Sequence, residues 1–359
     1  MENMELSIKK FNSNFWRGRR VFLTGHTGFK GGWLSLWLHS LGAEVFGFAL
    51  SPDTKPSLFR EARINELINS AIGDIRDFEL VRSSMLDASP EIIIHMAAQP
   101  LVRQSYKAPI ETYETNVMGT VHVLEAAREI GSLKTIINVT SDKCYENKEW
   151  DWGYRETDSI GGFDPYSSSK GCSELITSAY RNSFFQNKKI GLASVRAGNV
   201  VGGGDWSSDR LIPDLLRAFE SNVSASIRNS DAIRPWQHVL EPLSGYLELA
   251  QKTYQEPCKW SGAWNFGPSY ENILSVGWVA DYMKQKWGGN ANWHLLREDE
   301  LHEARILKLD ISKSITHLDW RPKWHLAKTL DNIIQWHKIW LNKEDARQLC
   351  LQQIDDFLA

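Results

Sequence analysis

The feature of this sequence that most constrains its fold is a short apolar run at residues 21–24 that leads into three evenly spaced glycines, Gly25, Gly28 and Gly31. The pattern predicts a buried strand, a tight turn and a helix. Gly25 lets the chain turn, Gly28 lets a pyrophosphate approach the backbone, and Gly31 lets the helix pack closely on the sheet. Because the free N–H groups of that helix would face the phosphates, the pattern predicts a dinucleotide site.

The alternative is an ordinary strand-to-helix turn, since glycine is common in any such turn. The context favours the dinucleotide site, because a clear strand precedes the glycines and residues 33–38 predict an amphipathic helix after them. A second strand, predicted at residues 44–50, leads to Asp53, and an acidic side chain there suits the ribose hydroxyls of NAD. Lys55 and Arg60, which would suit NADP, come later, so the predicted cofactor is NAD.

Composition and charge exclude several classes of protein. The 359 residues are 42% hydrophobic with a net charge of −3, which suits a globular protein and gives no basic footprint for nucleic acid or anionic membranes. No apolar run is long enough for a membrane span or a signal peptide, and the cysteines are spaced neither for a disulfide framework nor for zinc. We therefore expect a cytoplasmic protein with a small-molecule partner and no metal.

Strands alternate with helices at an interval that predicts right-handed crossovers and a parallel sheet. Further strands are predicted at residues 91–95 and 135–139, with a long helix at 112–130 between them. The predicted fold class is α/β, a doubly wound Rossmann-type sheet with a smaller, mixed α/β domain. Since the alternation fades after residue 199 and returns near 239–268, we expect two discontinuous domains. They are 1–198 plus about 234–268 for the dinucleotide, and about 199–233 plus 269–359 for the substrate.

Tyr166 and Lys170 are four residues apart, which places them on one face of a helix. A phenol is a poor base at neutral pH, but a neighbouring ammonium and a positively charged nicotinamide would both lower the pKa of Tyr166. Tyr166 would then take a proton from a substrate hydroxyl. The alternative is a surface pair on a helix. It is disfavoured by the glycine turn upstream and by a strand that leads to Ser141.

Ser141 is followed directly by Asp142 and Lys143, at the carboxyl end of a predicted parallel strand. Ligands of such sheets bind at these strand ends. A carbonyl reductase needs only the hydroxyl here, to hydrogen-bond the substrate oxygen. Two additional titratable groups therefore indicate more proton transfers than an oxidation alone requires.

The glycine spacing resembles the extended short-chain dehydrogenase/reductase superfamily. Residues 24–31, together with the Thr-Ser-Asp-Lys run at 140–143, narrow the resemblance to nucleotide-sugar 4,6-dehydratases, in particular those that act on CDP-glucose. The resemblance covers nearly the whole chain. It implies a lyase in which bound NAD oxidises sugar C4, the C5 proton and the C6 hydroxyl leave as water, and hydride returns to C6. The implied product, CDP-4-keto-6-deoxyglucose, would feed deoxysugar synthesis for surface polysaccharide such as lipopolysaccharide O-antigen.

The resemblance also implies a role for each catalytic side chain. Tyr166 is the base at the C4 hydroxyl, assisted by Lys170 and Ser141, and a protonated Asp142 donates to the departing C6 oxygen. Lys143 stands where dTDP-glucose dehydratases have a glutamate base. Either it removes the C5 proton as a neutral amine, or it holds Asp142 or a phosphate by its charge; the two alternatives stay open.

Residues at the cofactor are implied in the same way. Asp74 and Ile75 would lie at the adenine, and the small Ala97 and Ala98 would let the backbone pass the cofactor. Asn116 would support the catalytic helix. The full implied cofactor set is Gly25, Gly28, Phe29, Gly31, Asp74, Ile75, Ala97, Ala98, Gln99, Asn116, Tyr166 and Lys170.

The residues implied at the nucleotide sugar are Asn199, Arg210, Leu211, Arg234 and Arg305. Arg234 resembles an arginine that grips the diphosphate in related enzymes, although Pro235 replaces the usual aspartate. His302 receives no catalytic role, because a lone histidine is often a packed or surface residue.

Three alternatives to this reading stay open. Within enzymes they are a GDP-mannose 4,6-dehydratase and a nucleotide-sugar 4-epimerase, although an epimerase needs no acid such as Asp142. Outside enzymes, a non-catalytic NAD-binding regulator typically loses the tyrosine or the lysine, and both are present here. The resemblance further implies a homodimer or homotetramer through the helices that carry Asn116 and Tyr166.

Overall fold

The computed structural model describes residues 13–296 and 306–359. Its centre is a seven-stranded parallel sheet with the strand order β11-β6-β5-β4-β1-β2-β3. The strands are β1 (Arg20–Thr24), β2 (Glu44–Ala49), β3 (Asn69–Ile72), β4 (Ile92–His95), β5 (Thr135–Val139), β6 (Gly191–Ala197), β7 (Val200–Val201), β8 (Ser224–Ile227), β9 (Ile233–Pro235), β10 (Gln237–His238), β11 (Gly262–Phe266), β12 (Ile273–Ser275) and β13 (Asn292–Leu295).

Helices connect these strands and cover both faces of the sheet. They are α1 (Ser13–Trp16), α2 (Phe29–Ser40), α3 (Leu58–Glu61), α4 (Phe78–Ala88), α5 (Val102–Lys107), α6 (Pro109–Tyr113), α7 (Gly119–Ala127), α8 (Pro165–Tyr180), α9 (Leu211–Glu220), α10 (Leu240–Gln255), α11 (Pro257–Trp260), α12 (Val276–Trp287), α13 (Ser312–Leu318), α14 (Leu326–Leu341) and α15 (Ala346–Leu358). The predicted doubly wound α/β fold is confirmed.

Alternate residues of each central strand enter two different hydrophobic cores. In β1, Val21 and Leu23 pack on the side of α2 and α10, whereas Phe22 packs on the side of α4 and α7. In β4, Ile92 and Ile94 likewise pack in the first of these cores and Ile93 packs in the second. Because both faces are covered, these strands are continuous apolar runs rather than alternating ones.

A third core lies outside the sheet. It joins α9, α12 and α14 through residues such as Leu215, Met283 and Leu330. Small strand pairs, β8 with β13 and β9 with β12, border it. The predicted domain bounds stay a prediction. The C-terminal helix α15, which was expected in the substrate domain, packs by Phe357 on Trp37 of α2.

Two local expectations were wrong. The helix after the glycines is not amphipathic in its burial: residues 31–38 are buried continuously, because the sheet lies on one side of α2 and α15 covers the other. The single helix expected at 112–130 begins earlier, with Pro109 in its first turn, where no N–H is needed. It is also interrupted by a π-turn, Glu114–Met118, and ends at Ala127.

None of the described helices has both the length and the apolar character needed to cross a membrane. In the same residues, no group of three or more His, Cys, Asp or Glu side chains is arranged to hold a metal ion.

Candidate active site

A cavity of about 600 Å³ opens at the carboxyl ends of the parallel strands. Both the sheet and the segments around the third core contribute to its wall, as expected for a ligand site of an open α/β sheet. The wall brings together residues that are far apart in sequence and were predicted for three different tasks. They are Gly25, Gly28, Phe29, Gly31, Asp74, Ile75, Ala97, Ala98, Ser141, Asp142, Lys143, Tyr166, Lys170, Asn199, Arg210, Leu211 and Arg234.

The glycine turn has the shape of a phosphate cradle. Gly25 has φ +80°, and a Cβ on Gly31 would lie only 2.1 Å from the Gly25 carbonyl oxygen, so the fold itself requires both glycines. Gly28 is different: its φ is −78°, and a Cβ there would meet nothing closer than 3.5 Å. Since no protein atom demands a glycine at 28, the space beside it is suited to a ligand.

The first turn of α2 offers hydrogen-bond donors at this cradle. Gly28 is the N-cap residue, and no side chain caps the helix. The first backbone N–H groups of an α-helix have no partner inside the helix, so they are available to an anion. The cradle therefore fits the pyrophosphate of a dinucleotide.

The far end of the cradle carries acidic groups. Asp53 and Asp74 both line the cavity. A hydrogen bond from the Arg76 guanidinium, at 2.6 Å, is the main reason that the pKa of Asp74 lies below its ordinary value. Both groups are therefore suited to accept hydrogen bonds from the ribose or adenine of a dinucleotide.

The ends of β5 and α8 position the reactive groups. Ser141 follows β5, and its Oγ accepts a hydrogen bond from the Lys143 backbone N–H at 3.2 Å, which fixes the turn Asp142–Cys144. Asp164 caps α8 by accepting from the Ser167 N–H at 2.9 Å. One turn of α8 then presents Tyr166 and Lys170 on the cavity wall.

The titration of the pair differs from the expectation. Burial raises the pKa of Tyr166 to about 12, although a hydrogen bond with Ser141 opposes this shift. Burial also lowers the pKa of Lys170 to about 8. The chain's own groups therefore do not produce an easily ionised phenol. A positive charge bound in the cavity would lower the pKa of Tyr166.

Asp142 has a buried environment that favours its protonated form. Its side chain is only 4% exposed, and Oδ1 accepts a hydrogen bond from Ser141 Oγ at 3.0 Å. Burial raises the pKa of this carboxyl despite the opposing charges of Lys143 and Arg234. The half-buried Lys143 lies beside it on the cavity wall.

Two of the predicted cofactor residues lie behind the wall. Asn116 Oδ1 accepts from the Gln99 backbone N–H at 2.8 Å, and Asn116 Nδ2 donates to Ser169 Oγ at 2.9 Å. Gln99 Nε2 donates to Thr112 Oγ1 at 2.9 Å. These bonds tie the loop after β4 to α8, and the supporting role of Asn116 stays a prediction. Direct contact of Gln99 or Asn116 with a cofactor stays a prediction.

A buried ion pair, which no pattern in the sequence predicted, supports the same end of the cavity. Arg196 in β6 and Glu174 in α8 are each 4% exposed and lie 2.8 Å apart. Glu174 also accepts a hydrogen bond from Thr140 Oγ1 at 2.5 Å. The pair thus holds the residue that precedes Ser141. Spacing within the sequence could not reveal a contact between these two elements.

The predicted substrate residues fall in two groups. Asn199, Leu211, Arg210 and Arg234 line the cavity, and Arg210 also donates to Asp205 Oδ2 at 3.0 Å. Trp236, which the sequence analysis did not single out, lies in the same wall, where its Nε1 donates to the Leu274 carbonyl at 3.0 Å. Arg305 and His302 lie outside the described residues.

Comparison with known proteins agrees with this geometry. A family model described as GDP-mannose 4,6-dehydratase matches residues 22–333. CDP-glucose 4,6-dehydratase of Salmonella typhimurium is 57% identical over 353 residues, which cover 97% of this chain and 98% of the relative. The human dTDP-D-glucose 4,6-dehydratase is 25% identical over 289 residues, covering 76% of this chain and 77% of the relative.

Solved structures share the fold. The dTDP-glucose 4,6-dehydratase of Bacillus anthracis, in complex with NAD, superposes with a TM-score of 0.75 at 20% identity and covers 92% of this chain and 100% of that one. A UDP-glucose 4-epimerase of Thermotoga maritima with UDP-glucose gives 0.76 at 19% identity, with 89% and 99% covered. With the model match and the 57% identical relative, these findings show that the chain belongs to the GDP-mannose 4,6-dehydratase family of nucleotide-sugar dehydratases.

Proposed function

We propose that this chain is an NAD-dependent lyase that converts CDP-D-glucose to CDP-4-keto-6-deoxy-D-glucose and water. The observation that carries the proposal is a buried acid, Asp142, on the same cavity wall as Tyr166 and Lys170. An oxidoreductase or an epimerase needs the tyrosine and the lysine but not the acid. The 57% identical relative, a CDP-glucose 4,6-dehydratase, supports both the reaction and the nucleotide.

The first chemical task falls to α8 and the end of β5. NAD held at the glycine turn would supply the acceptor for hydride from C4 of the sugar and the donor for its return to C6. Tyr166 removes the proton of the C4 hydroxyl, and Ser141 hydrogen-bonds the same oxygen. The side chain of Lys170 is held in place by a hydrogen bond that its Nζ donates to the Val139 carbonyl at 3.4 Å. Burial lowers the pKa of this lysine to about 8.

Elimination of water needs one acid and one base. Asp142 donates its proton to the C6 oxygen, since burial keeps this carboxyl protonated at a higher pH than usual. Lys143 is the neighbouring group on the cavity wall. As base it removes the C5 proton; as anchor it holds Asp142 or a phosphate by charge while another group acts.

The variant Lys143→Met separates these two roles. If Lys143 is the base, the variant accumulates reduced nicotinamide from C4 oxidation, forms no dehydrated sugar, and exchanges no C5 proton with deuterated water. If Lys143 is an anchor, weaker substrate binding raises KM, while C5 exchange and product formation continue at saturating substrate. Normal turnover would place the base elsewhere.

The two ligands divide the cavity between them. Gly28, Asp53 and Asp74 surround the dinucleotide, and Asp53 favours NAD because its carboxylate would repel the 2′-phosphate of NADP. Arg210 and Arg234 neutralise the sugar diphosphate, with Asn199 and Leu211 beside them. Arg305 is proposed from resemblance alone. In the same way, we assign the dinucleotide to one domain and the nucleotide sugar to a discontinuous substrate domain.

Self-association is the second part of the proposal. Ile110, at 73% exposure, Tyr113 and Met118 are exposed apolar side chains around α6 and its π-turn, and Leu175 is exposed on α8. The two helical segments are adjacent, since Tyr113 Oη and Ser168 Oγ lie 2.6 Å apart. Exposed apolar residues on neighbouring helices suit a dimer in which these helices pack against their copies. Sedimentation of the wild type and of Leu175→Glu tests this arrangement.

Mass spectrometry in deuterated water tests the function directly. The purified protein is incubated with NAD and, in separate tubes, CDP-glucose, dTDP-glucose, UDP-glucose and GDP-mannose. Loss of one water from CDP-glucose, with deuterium at C5, is the expected result. Reaction of GDP-mannose alone would reassign the substrate. An unchanged mass in every tube would contradict dehydration, and isomer analysis of the sugars would then distinguish a 4-epimerase from a protein without activity.

A further inference from the structure

One arginine on the cavity wall, Arg228, has been given no role above. It comes directly after β8, and its side chain is 28% exposed. Among the residues that the structure describes, its guanidinium makes one hydrogen bond, from Nη1 to Asp209 Oδ1, at the long distance of 3.5 Å. A guanidinium carries five N–H groups in a planar fork. Most of the donors of Arg228 are therefore available to a ligand in the cavity.

The wall segment 228–234 has an inner end next to the reacting groups. Arg234, at this end, is 5% exposed. The next residue, Pro235, adjoins Asp142, because a Cβ on Gly198 would lie 2.3 Å from Pro235 Cγ and 3.0 Å from Asp142 Oδ2. In the proposed function, on which this inference rests, Arg234 neutralises the sugar diphosphate. The sugar therefore extends inward from this point to Asp142.

Arg228 stands at the outer end of the same wall segment. Its partner Asp209 is 41% exposed and directly precedes Arg210, the other arginine proposed for the diphosphate. A nucleotide sugar with its diphosphate at Arg234 and Arg210 and its sugar at Asp142 has its nucleoside on the other side of the diphosphate. The nucleoside therefore lies toward the more exposed end of the wall, where Arg228 is.

Three neighbouring polar side chains on this wall already have partners within the fold. Asn229 Oδ1 accepts two backbone N–H groups of the turn that follows it, each at 3.1 Å. Ser226 Oγ and a histidine ring nitrogen lie 3.2 Å apart, within hydrogen-bond distance. Asp214 is paired with Arg217. Arg228, by contrast, keeps most of its donors for a ligand.

We propose that Arg228 is the specificity-determining residue that distinguishes cytosine from uracil and thymine. Cytosine presents two adjacent acceptors, O2 and N3, which match two parallel N–H groups of a guanidinium fork. In uracil and thymine N3 carries a proton, so one N–H group of the arginine would face another donor and lose its partner. Guanine also presents two adjacent acceptors, so the choice that Arg228 makes is among pyrimidines.

Arg103 provides a matched control on another element of the cavity wall. It lies in α5, its side chain is 35% exposed, and its Nη1 is 4.0 Å from the same Asp209 carboxylate. This helix follows the loop of Ala97 and Ala98, which is proposed to lie at the cofactor. Removing the charge of Arg103 should therefore change the binding of cytosine and uracil nucleotides equally.

Calorimetric titration of the NAD-loaded protein tests the proposal with CDP, UDP and 3-deazacytidine diphosphate, in which a C–H group replaces N3. The wild type should bind CDP roughly tenfold to a hundredfold more tightly than either of the other two, the usual value of a bidentate contact with a base. In Arg228→Met the three affinities should become nearly equal, because only CDP loses a contact. Arg103→Met should keep the wild-type ratio of CDP to UDP affinity.

Three results would overturn the proposal. An Arg228→Met protein that keeps the wild-type ratio would show that another group reads the base. Equal weakening of CDP and UDP in this variant would show that Arg228 serves a phosphate by its charge. Equal affinity of the wild type for CDP and its 3-deaza analogue would show that N3 is not read, and this measurement decides even if Arg228→Met does not fold.

Failure of the proposed function would appear separately. A CDP preference that disappears in Arg228→Met, together with a wild type that forms no dehydrated sugar from CDP-glucose, would contradict the function and keep the base-reading role. Dehydration of CDP-glucose, together with a CDP preference that survives in Arg228→Met, would keep the function and contradict the role of Arg228.

Discussion

The two ends of the cavity are built in opposite ways. At the dinucleotide end, Gly25, Gly28 and Gly31 expose backbone, and selectivity comes from leaving side chains out. At the reacting end, Asp142, Tyr166 and Lys170 fill the wall with buried groups whose pKa values are all shifted. Ligand binding at the first end therefore depends on the space that the missing side chains leave, and catalysis at the second end depends on the charge states of buried groups.

This comparison predicts that substitutions at the two ends impair the protein in different ways. Adding a methyl group at the dinucleotide end should disturb packing or ligand binding while the chemistry of the other end is intact. Removing a polar atom from Asp142, Tyr166 or Lys170 should leave the fold in place and stop proton transfer. The predictions below test that separation.

The largest effect is expected for Tyr166→Phe, which removes the phenol and keeps the ring. Loss of the base should reduce kcat by about a thousandfold, because the phenol positioned to take the C4 hydroxyl proton is then missing. Steady-state kinetics with CDP-glucose measures the loss. The exposed Tyr270→Phe is the control and should keep wild-type activity. A loss below tenfold in Tyr166→Phe would remove this residue from the role of base.

Glu174→Gln tests how the reacting end is held. Arg196 would remain buried without its charge partner, so the free energy of unfolding should fall by about 3 kcal/mol. Urea denaturation measures it, with the exposed Glu256→Gln as a control in which no change is expected. An unchanged midpoint in Glu174→Gln would mean that the pair does not hold this end.

The same carboxylate gives a pH dependence. Burial alone would raise the pKa of Glu174, but the hydrogen bonds from Arg196, Thr140 and Ser194 outweigh it, and the pKa lies below the ordinary value. Its stabilising contribution is therefore present above the pKa of an unfolded glutamate and is lost as pH falls. In acid, the difference in unfolding free energy between wild type and Glu174→Gln should shrink.

Gly31→Ala should damage the fold of the dinucleotide end. Its Cβ would lie 2.1 Å from the Gly25 carbonyl oxygen, so backbone must shift, at a cost of about 2 kcal/mol in unfolding free energy. Gly131→Ala is the matched control, since nothing lies within 4 Å of its Cβ position. Equal stability of the two variants would contradict the close packing of α2 on the turn.

Gly28→Ala should have the smallest effect of these variants, and it should change ligand binding without changing stability. Its Cβ meets no protein atom closer than 3.5 Å, so the unfolding free energy should stay at the wild-type value. The methyl group would occupy the phosphate cradle, and we expect NAD affinity to fall about tenfold, or about 1.4 kcal/mol. Calorimetric titration with NAD measures this, and unchanged affinity would place the pyrophosphate elsewhere.

Much of the fold could be predicted because its signals are local. The apolar run of β5 and the glycine pattern after β1 each lie within a dozen residues, and the structure confirms both elements. The burial of α2 could not be predicted in this way. Its outer face is covered by α15, which comes about three hundred residues later in the chain.

In the candidate site, too, features that depend on nearby residues could be predicted and those that depend on distant residues could not. Tyr166 and Lys170 are recognisable because one helical turn separates them, and Ser141 and Asp142 because they are adjacent. Lys30 appears in the glycine motif, but its pKa is lowered to about 7 only by burial in the folded chain and, to a smaller extent, by the charges of Arg210 and Lys170. The ion pair between Glu174 and Arg196 joins a helix to a strand, and no spacing in the sequence predicts it.

The sequence by itself thus determined the parallel α/β architecture and the glycine turn, and it predicted the five candidate catalytic side chains, since each depends on residues close together in the chain. Only the tertiary structure decided which of them are buried and what they face. A pKa depends on the solvent and charge around a group, and for Asp142, Tyr166 and Lys30 these surroundings come from several distant elements. The residue types come from local sequence, and their chemistry comes from the packing around them.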